Sequence, residues 1–355
     1  MKTLSIRLLS VSYLAFGCSA RKWNNTGTGT IVFEEAWTIP ELLNRGTTPP
    51  VGQTSAELSA NLLDIHNQRL TQMNDNGIDF MVLSCANPCI QGISDPDEAA
   101  AMAIHVNNVL ASSISNNTLR FGAFAALSMH NASIAAQELN RTVKELGFLG
   151  ALVNDYQQSG SDNNTLLFYD QPEYDVFWKM VTDLDVPVYF HPRGNVPTVH
   201  DMLYGHARWL SGPGQEFAAT LSTHLLGLAT NGVFDRFPTL KVISGHLGER
   251  IPSDLTRIDD QLARQVPQGM PMLRNVSSYW QTNFFETTSG NFATDILLLH
   301  KQAIGLDRIL YSIDYPFVTI PPATEWVNSL DTVLSPEELL QLKRGAAISC
   351  SNSND

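Results

Sequence analysis

The sequence predicts an α/β protein of the (β/α)8, or TIM, barrel class. Three observations carry the prediction: eight short apolar runs, segments of helical periodicity between them, and acidic or imidazole side chains at the ends of several runs. The 355 residues are 43% hydrophobic and 16% charged, enough apolar material for a large core, which excludes a disordered, collagen-like or disulfide-dense chain. With 35 acidic against 22 basic residues the formal charge is −13. Nucleic acid and anionic membrane both attract clustered Lys and Arg, so neither is an expected partner.

In chain order the runs are 31–35, 80–84, 121–125, 150–154, 187–191, 241–245, 280–285 and 309–314. Between the third and fourth, Ala135, Leu139, Val143 and Leu146 keep the rhythm of one helix face. Val176, Met180 and Leu184, with Phe177 and Val181 beside them, do the same before the fifth. Eight such units call for a closed barrel rather than an open doubly wound sheet, and the first run lacks the G-x-G-x-x-G turn of a dinucleotide fold. No repeat or low-complexity linker divides the chain, so residues 21–355 read as one barrel domain, with long mouth loops expected at 36–57 and 192–215.

The first twenty residues follow another logic. Lys2 and Arg7 precede an apolar stretch, and small Cys18, Ser19 and Ala20 follow, the order of a secretory signal that is too short to span a membrane. Sequons at Asn24, Asn116, Asn131, Asn140, Asn163 and Asn275 fit the same route, which predicts a secreted or secretory-pathway glycoprotein. Cleavage after Ala20 would leave Cys85, Cys89 and Cys350. Cys85 and Cys89 either close a small disulfide in an oxidising compartment or stay as two buried thiols.

Active sites of such barrels gather at the C-terminal ends of the strands. Glu34-Glu35, His191, His246 and Asp314 stand at four of those ends. Each alone has an ordinary explanation, as a hydrogen-bonded core histidine or a turn residue; together they argue for a site. Glu34, His191 and Asp314 offer an O, N, O set for one divalent cation with positions left open. Glu249, three residues after His246 on the expected first helical turn, either orients the imidazole or serves the helix dipole. Arg193 is a candidate partner for a substrate carboxylate or, equally, a loop salt bridge. Trp37 and Phe317 are candidates to stack on a ring or simply to pack the rim. No site for an organic cofactor is evident.

The runs Val32-Phe-Glu-Glu-Ala36, Phe121-Gly-Ala-Phe-Ala-Ala-Leu-Ser-Met-His130, Gly150-Ala-Leu-Val-Asn-Asp155, His191-Pro-Arg193, Thr230-Asn-Gly-Val-Phe-Asp-Arg236, Gly245-His-Leu-Gly-Glu249, Thr287-Thr-Ser-Gly290 and Ser312-Ile-Asp-Tyr-Pro-Phe317 closely resemble the fungal 2,3-dihydroxybenzoate decarboxylases. Those belong to the decarboxylase branch of the metal-dependent amidohydrolases, beside the γ-resorcylate and aminocarboxymuconate semialdehyde decarboxylases. The resemblance implies Glu34, His191 and Asp314 as metal ligands and His246 with Glu249 as the pair contacting a phenolic oxygen. Many relatives carry a histidine two residues after the first-strand acid. Ala36 stands there in this chain, as in the 2,3-dihydroxybenzoate enzymes, which implies one metal and shifts preference from Zn²⁺ toward Mg²⁺ or Mn²⁺.

The implied reaction is non-oxidative decarboxylation of an ortho-hydroxybenzoic acid, a small aromatic carboxylic acid, by a homo-oligomer of two or four chains. Direct loss of CO2 would leave an unstabilised aryl carbanion, so the ring carbon must be protonated first, and Asp314 is the expected donor. A mononuclear hydrolase of a lactone or amide would use the same cation. A catalytically silent barrel that binds aromatic acids or glycans is disfavoured, because binding alone does not need Glu34, His191, His246 and Asp314 together. Two features depart from the family: the leader, in a generally intracellular group, and the end of the chain. Residues 343–350 read Lys-Arg-Gly-Ala-Ala-Ile-Ser-Cys where relatives have an Asn-Ala helix with Leu and Phe, so a shortened final helix is expected.

Overall fold

Alternation along each strand decides the architecture. In a computed structural model that describes residues 23–43 and 49–351, one alternate set of strand side chains points inward. Ile31, Phe33, Phe80, Val82, Phe124, Leu152, Tyr189, Ile243, Phe285 and Leu310 form that inner cluster. The other set packs against the helices in a larger outer cluster. The strands are β1 (Thr30–Trp37), β2 (Ile78–Cys85), β3 (Phe121–Ala123), β4 (Ala151–Asn154), β5 (Pro187–His191), β6 (Lys241–Ser244), β7 (Phe284–Thr287) and β8 (Ile309–Leu310). All pairings among them are parallel, in two arcs, β1 to β3 and β4 to β8. Parallel bridges Ala125↔Ala151 and Glu35↔Tyr315 join the arcs and close the expected eight-stranded barrel. The predicted leader lies outside the described residues.

The helices follow the sequence rhythm with one rotation. The helix Ala132–Glu145 starts where the Asn131 side chain accepts from Ser133 N and Ile134 N, and it buries Ala135 and Leu139 as expected. The helix Asp175–Leu184 instead buries Phe177, Trp178 and Val181 and leaves Val176 46% exposed. Trp178 fixes this rotation, since its indole is fully buried and donates to Tyr169 O at 2.8 Å.

Three boundaries differ from expectation. Trp280 ends no strand: it lies in the helix Val276–Thr282, which Asn275 caps, and its ring stacks on Phe284 at 4.5 Å. The first mouth loop begins later than Ala36, because β1 runs on to Trp37, paired with Cys85. The second is not a plain loop, since Pro197–Tyr204 is helical.

The final helix is not lost. Pro336–Leu340 passes through a wider turn at Gln341–Gly345 into Ala346–Ser351, and Ala346, Ala347 and Cys350 join the inner cluster beneath the strands. The small side chains of Ala346 and Ala347 let this helix sit close under the barrel floor. Cys85 and Cys89 form a disulfide that closes a short loop after β2. Cys350 is buried and free, and burial pushes its thiol up to about 12. Among the described residues no helix is long and apolar enough to cross a membrane.

Trp280 is fully buried and stacked, so Trp280→Ala is expected to lower unfolding free energy by about 3–5 kcal/mol in urea titration. A loss under about 1 kcal/mol would show that the helix–strand junction does not depend on this ring.

Candidate active site

A bulge in β1 creates the site. Between Val32↔Met81 and Glu35↔Leu83, β1 advances three residues while β2 advances two. Strict alternation from Ile31 and Phe33 would send Glu35 inward; the extra residue turns Glu34 toward the barrel interior instead. Glu35 faces β8 and accepts from Ile313 N and Tyr315 N, each at 3.0 Å. Asp314 N, between them, donates to Glu34 O at 3.0 Å. The two adjacent glutamates thus divide the work, one facing the cavity and the other clamping the backbone on either side of Asp314, which is held at φ 77°.

The two oxygens of Glu34 are not equivalent. Oε2 accepts from the hydroxyls of Tyr189, Ser289 and Thr287, the last at 2.8 Å. Burial, with the Glu34 charge, holds the Tyr189 phenol well above its ordinary pKa, so it remains a donor. Oε1 is buried and makes no hydrogen bond among the described residues, yet it lies 3.3 Å from His191 Nε2 and 3.6 Å from His246 Nε2. Gly245 leaves room for it, since a Cβ there would sit 2.8 Å from both Glu34 oxygens. His191 Nδ1 bonds Pro192 O at 2.7 Å, which leaves Nε2 with a lone pair in the neutral tautomer.

Glu34, His191 and His246 place one ligand atom each within 4.8 Å of one another. Asp314 Oδ2 stands 3.9 Å from His246 Nε2, and a void of about 10 Å³ is bordered by Glu34, His191, Asp314 and Ala36 together. A bare buried carboxylate oxygen, two imidazole Nε2 atoms and a nearby second carboxyl fit one divalent cation. The expected ligands Glu34, His191 and Asp314 are therefore brought together, and His246 stands with them.

His246 and Glu249 meet as expected, by an unexpected backbone. No right-handed helix begins here. His246, Leu247, Gly248, Glu249 and Arg250 all have positive φ, between 49° and 70°, a full left-handed turn. Each non-glycine position costs roughly 1–2 kcal/mol. Tertiary contacts offset this: Leu247 is buried, Asn291 Nδ2 donates to His246 O at 3.2 Å, and Gly248 abuts the buried Glu286. The turn sets Glu249 Oε1 2.6 Å from His246 Nδ1, so Glu249 orients the imidazole and serves no helix dipole.

Above this cluster opens a cavity of about 280 Å³ lined by His191, His246, Asp314, Phe317, Phe217 and Asn87, among others. It is near the lower end of the roughly 300–1,000 Å³ of small-molecule pockets, the size for a single ring. Phe317 is where the sequence placed it. Trp37 is not: it is buried in the outer core behind β1. Arg193 is not either. Its buried guanidinium donates to Gln91 O at 2.6 Å and Gln158 Oε1 at 2.9 Å and stacks on Tyr156, so it ties the loops after β2, β4 and β5 together outside the cavity. Tyr189 was legible, two residues before His191 on the same strand face; Phe217 and Asn87 carry no sequence signal.

Over residues 60–348 the chain matches the protein-family model described as amidohydrolase. The chain belongs to the amidohydrolase family. It is 42% identical over 302 residues to γ-resorcylate decarboxylase of Rhizobium radiobacter, covering 85% of this chain and 92% of the relative. The crystal structure of 2,6-dihydroxybenzoate decarboxylase from Rhizobium superposes with a TM-score of 0.86 at 40% identity, over 92% of this chain and 99% of that one. A dihydroxybenzoic acid decarboxylase from Polaromonas, with bound manganese and the inhibitor 2-nitroresorcinol, gives 0.86 at 38% identity, over 92% and 98%. The 2,3-dihydroxybenzoate decarboxylase of Aspergillus niger is 31% identical over 177 residues, or 38% of this chain. The amidohydrolase chain described here is thus a carboxy-lyase, and its likeness to the γ-resorcylate enzymes runs longer than that to the 2,3-dihydroxybenzoate enzymes.

Burial opposes charge on His246, but the carboxylates of Glu249 and Glu34 outweigh it and hold its pKa well above the ordinary value. The shift favours the protonated imidazole in the metal-free protein, and a protonated His246 must lose that proton before its Nε2 can meet a metal ion. Manganese binding is expected to release that proton and to weaken about tenfold per pH unit as pH falls below this raised pKa. Calorimetry in two buffers of different ionisation heat measures the release. Binding with no proton release would remove His246 from the ligand set.

Proposed function

We propose that this chain is a metal-dependent, non-oxidative decarboxylase that releases CO2 from an ortho-hydroxybenzoic acid. The observation that carries the reading is the bare Glu34 Oε1 between two imidazoles, beneath a one-ring cavity whose wall holds Asp314. Relatives at 40–42% identity bear 2,6-dihydroxybenzoate or γ-resorcylate in their names, which makes 2,6-dihydroxybenzoate the first acid to assay and 2,3-dihydroxybenzoate the second.

Glu34, His191 and His246, with Asp314 beside them, would hold the cation; when bound it would chelate the acid's carboxylate and adjacent hydroxyl and offset their charge. The rest falls to the chain's own residues. Phe317 and Phe217 confine the ring within the cavity. Burial, with the Glu34 charge, raises the Asp314 carboxyl against the pull of His246, which favours the protonated acid that a donor requires. Asp314 gives its proton to the ring carbon bearing the carboxylate. The C–C bond then breaks, its electron pair returns to the ring as aromaticity is restored, and CO2 leaves. Glu249 holds the His246 imidazole in place beside the hydroxyl, and solvent reprotonates Asp314. Ala36, where many relatives carry a histidine, removes one nitrogen donor, which supports Mn²⁺ or Mg²⁺ over Zn²⁺.

Asp314→Asn keeps the size of the side chain and removes its proton. Turnover is expected to fall by about 10²–10⁴-fold while manganese content, read by elemental analysis, stays within a factor of two of the parent. CO2 release at the parental rate would end the role of Asp314. Hydrolysis of a lactone with no CO2 from any of these acids would end the decarboxylase reading.

Secretion is part of the proposal. The leader pattern, the Cys85–Cys89 disulfide and the exposed sequons at Asn24, Asn116, Asn131, Asn163 and Asn275 support it. Exposed Met202, Leu203, Trp209 and Leu210 on the mouth segment support assembly into a dimer or tetramer. A fungal host is expected to secrete glycosidase-sensitive protein that begins near residue 21 and sediments as two or four chains. Unglycosylated protein retained with an intact Met1 would contradict the secretory route, and sedimentation as a single chain would contradict assembly.

A further inference from the structure

The polar side chains around the cavity can be sorted by what already binds them. Glu216 accepts from Asn195 N at 2.9 Å and Gly212 N at 2.7 Å. Ser211 Oγ donates to Arg208 O at 2.9 Å and meets His200 Nε2 at 2.7 Å. His191, His246 and Asp314 belong to the metal cluster. Among the described residues no Lys or Arg lines the cavity, which leaves the cation as the partner they offer the acid's carboxylate.

One side chain remains. Asn87 borders both the ring cavity and the small void beside Ala36, its Oδ1 is buried without a hydrogen-bond partner, and its amide bonds to no other residue among those described. An unmet buried amide costs roughly 1–3 kcal/mol, which a folded protein recovers only when something binds it. The loop is also built to hold it there. Asn87 is the middle residue of Cys85-Ala86-Asn87-Pro88-Cys89, whose ends are tied by the disulfide, and Asn154 Nδ2 donates to Pro88 O at 3.5 Å. A five-residue loop closed at its base cannot swing its central side chain far from the cavity.

We infer that Asn87, carried by the Cys85–Cys89 loop, is a specificity-determining residue that hydrogen-bonds a second hydroxyl of the substrate ring, so that the enzyme selects dihydroxybenzoic over monohydroxybenzoic acids. The inference rests on the decarboxylase reading above and narrows its substrate class. A carboxamide offers both a donor and an acceptor to a phenol, and a site built to bond a hydroxyl discriminates against the ring that lacks it, because its own polar group is then left unpaired.

The test compares probes that differ by one hydroxyl, with and without turnover. The manganese-loaded parent is expected to bind 2-nitroresorcinol at least about tenfold more tightly than 2-nitrophenol in calorimetry, and Asn87→Ala to lower the first affinity to the level of the second. In turnover, Asn87→Ala should lower kcat/KM for 2,6-dihydroxybenzoate by about tenfold and leave salicylate within twofold. The double variant Cys85→Ser, Cys89→Ser should lose selectivity in the same direction while keeping its circular dichroism spectrum. Equal losses on both rings, or an unchanged preference in Asn87→Ala, would overturn the inference. If the parent discriminates between the nitro compounds through Asn87 but releases no CO2 from any acid, the decarboxylase reading fails and the recognition by Asn87 stands.

Discussion

The site depends on the asymmetry of one carboxylate. Three hydroxyls saturate Oε2 of Glu34, and nothing bonds Oε1. A fully satisfied buried glutamate would be a strut, and a fully unsatisfied one would take up a proton or find water. Half satisfaction keeps the side chain fixed and leaves one oxygen with its full electrostatic demand. The surroundings are arranged around that demand: Gly245 without a side chain, His191 with its other nitrogen occupied, and His246 turned inward by Glu249. Each has a local cause several residues away, so a site of few atoms draws on five of the eight strands.

Strain is the cost of this arrangement, and it is concentrated at two places. Asp314 and the run His246 to Arg250 occupy left-handed backbone that most residues avoid. Both stay in place because rigid elements over-determine them. The Glu35 carboxylate takes the amides on both sides of Asp314, and burial raises its pKa against those same bonds. Behind the left-handed turn, Glu286 holds His300, and His300 meets Ser253 Oγ at 2.8 Å, a buried chain that anchors the segment following the turn.

How much of this was written in the sequence varies with scale. Short, nearly continuous apolar runs placed eight strands, because burial on both faces of a parallel sheet leaves that signature. Strand ends then located Glu34, His191, His246 and Asp314, because the barrel topology brings those ends to one rim. The bulge was not legible: Glu34 and Glu35 are identical residues, and only pairing with β2 decides which turns inward. Nor was the left-handed turn, since Gly-His-Leu-Gly-Glu carries two glycines but only tertiary contacts can stabilise three side chains at positive φ. Arg193 misled for a related reason. Its neighbour His191 is in the site, but side chains two apart across a proline leave the strand in different directions, and the guanidinium met four backbone and side-chain oxygens first.

The net charge of −13 looks unfavourable for an enzyme of anionic acids, yet the local balance differs from the global one. In the proposed reaction, a divalent cation at Glu34 would leave one positive charge for the substrate carboxylate to neutralise. If Asp314 passes its proton to the ring, the negative charge that leaves as neutral CO2 would reappear on Asp314, next to the same cation. The total charge around the site is therefore unchanged across the reaction, and only its position moves, which in a poorly hydrated cavity avoids the large cost of creating a new uncompensated charge. The product has lost the carboxylate by which the acid was held, so it is bound less tightly than the substrate, and release follows from the same electrostatics that favoured binding.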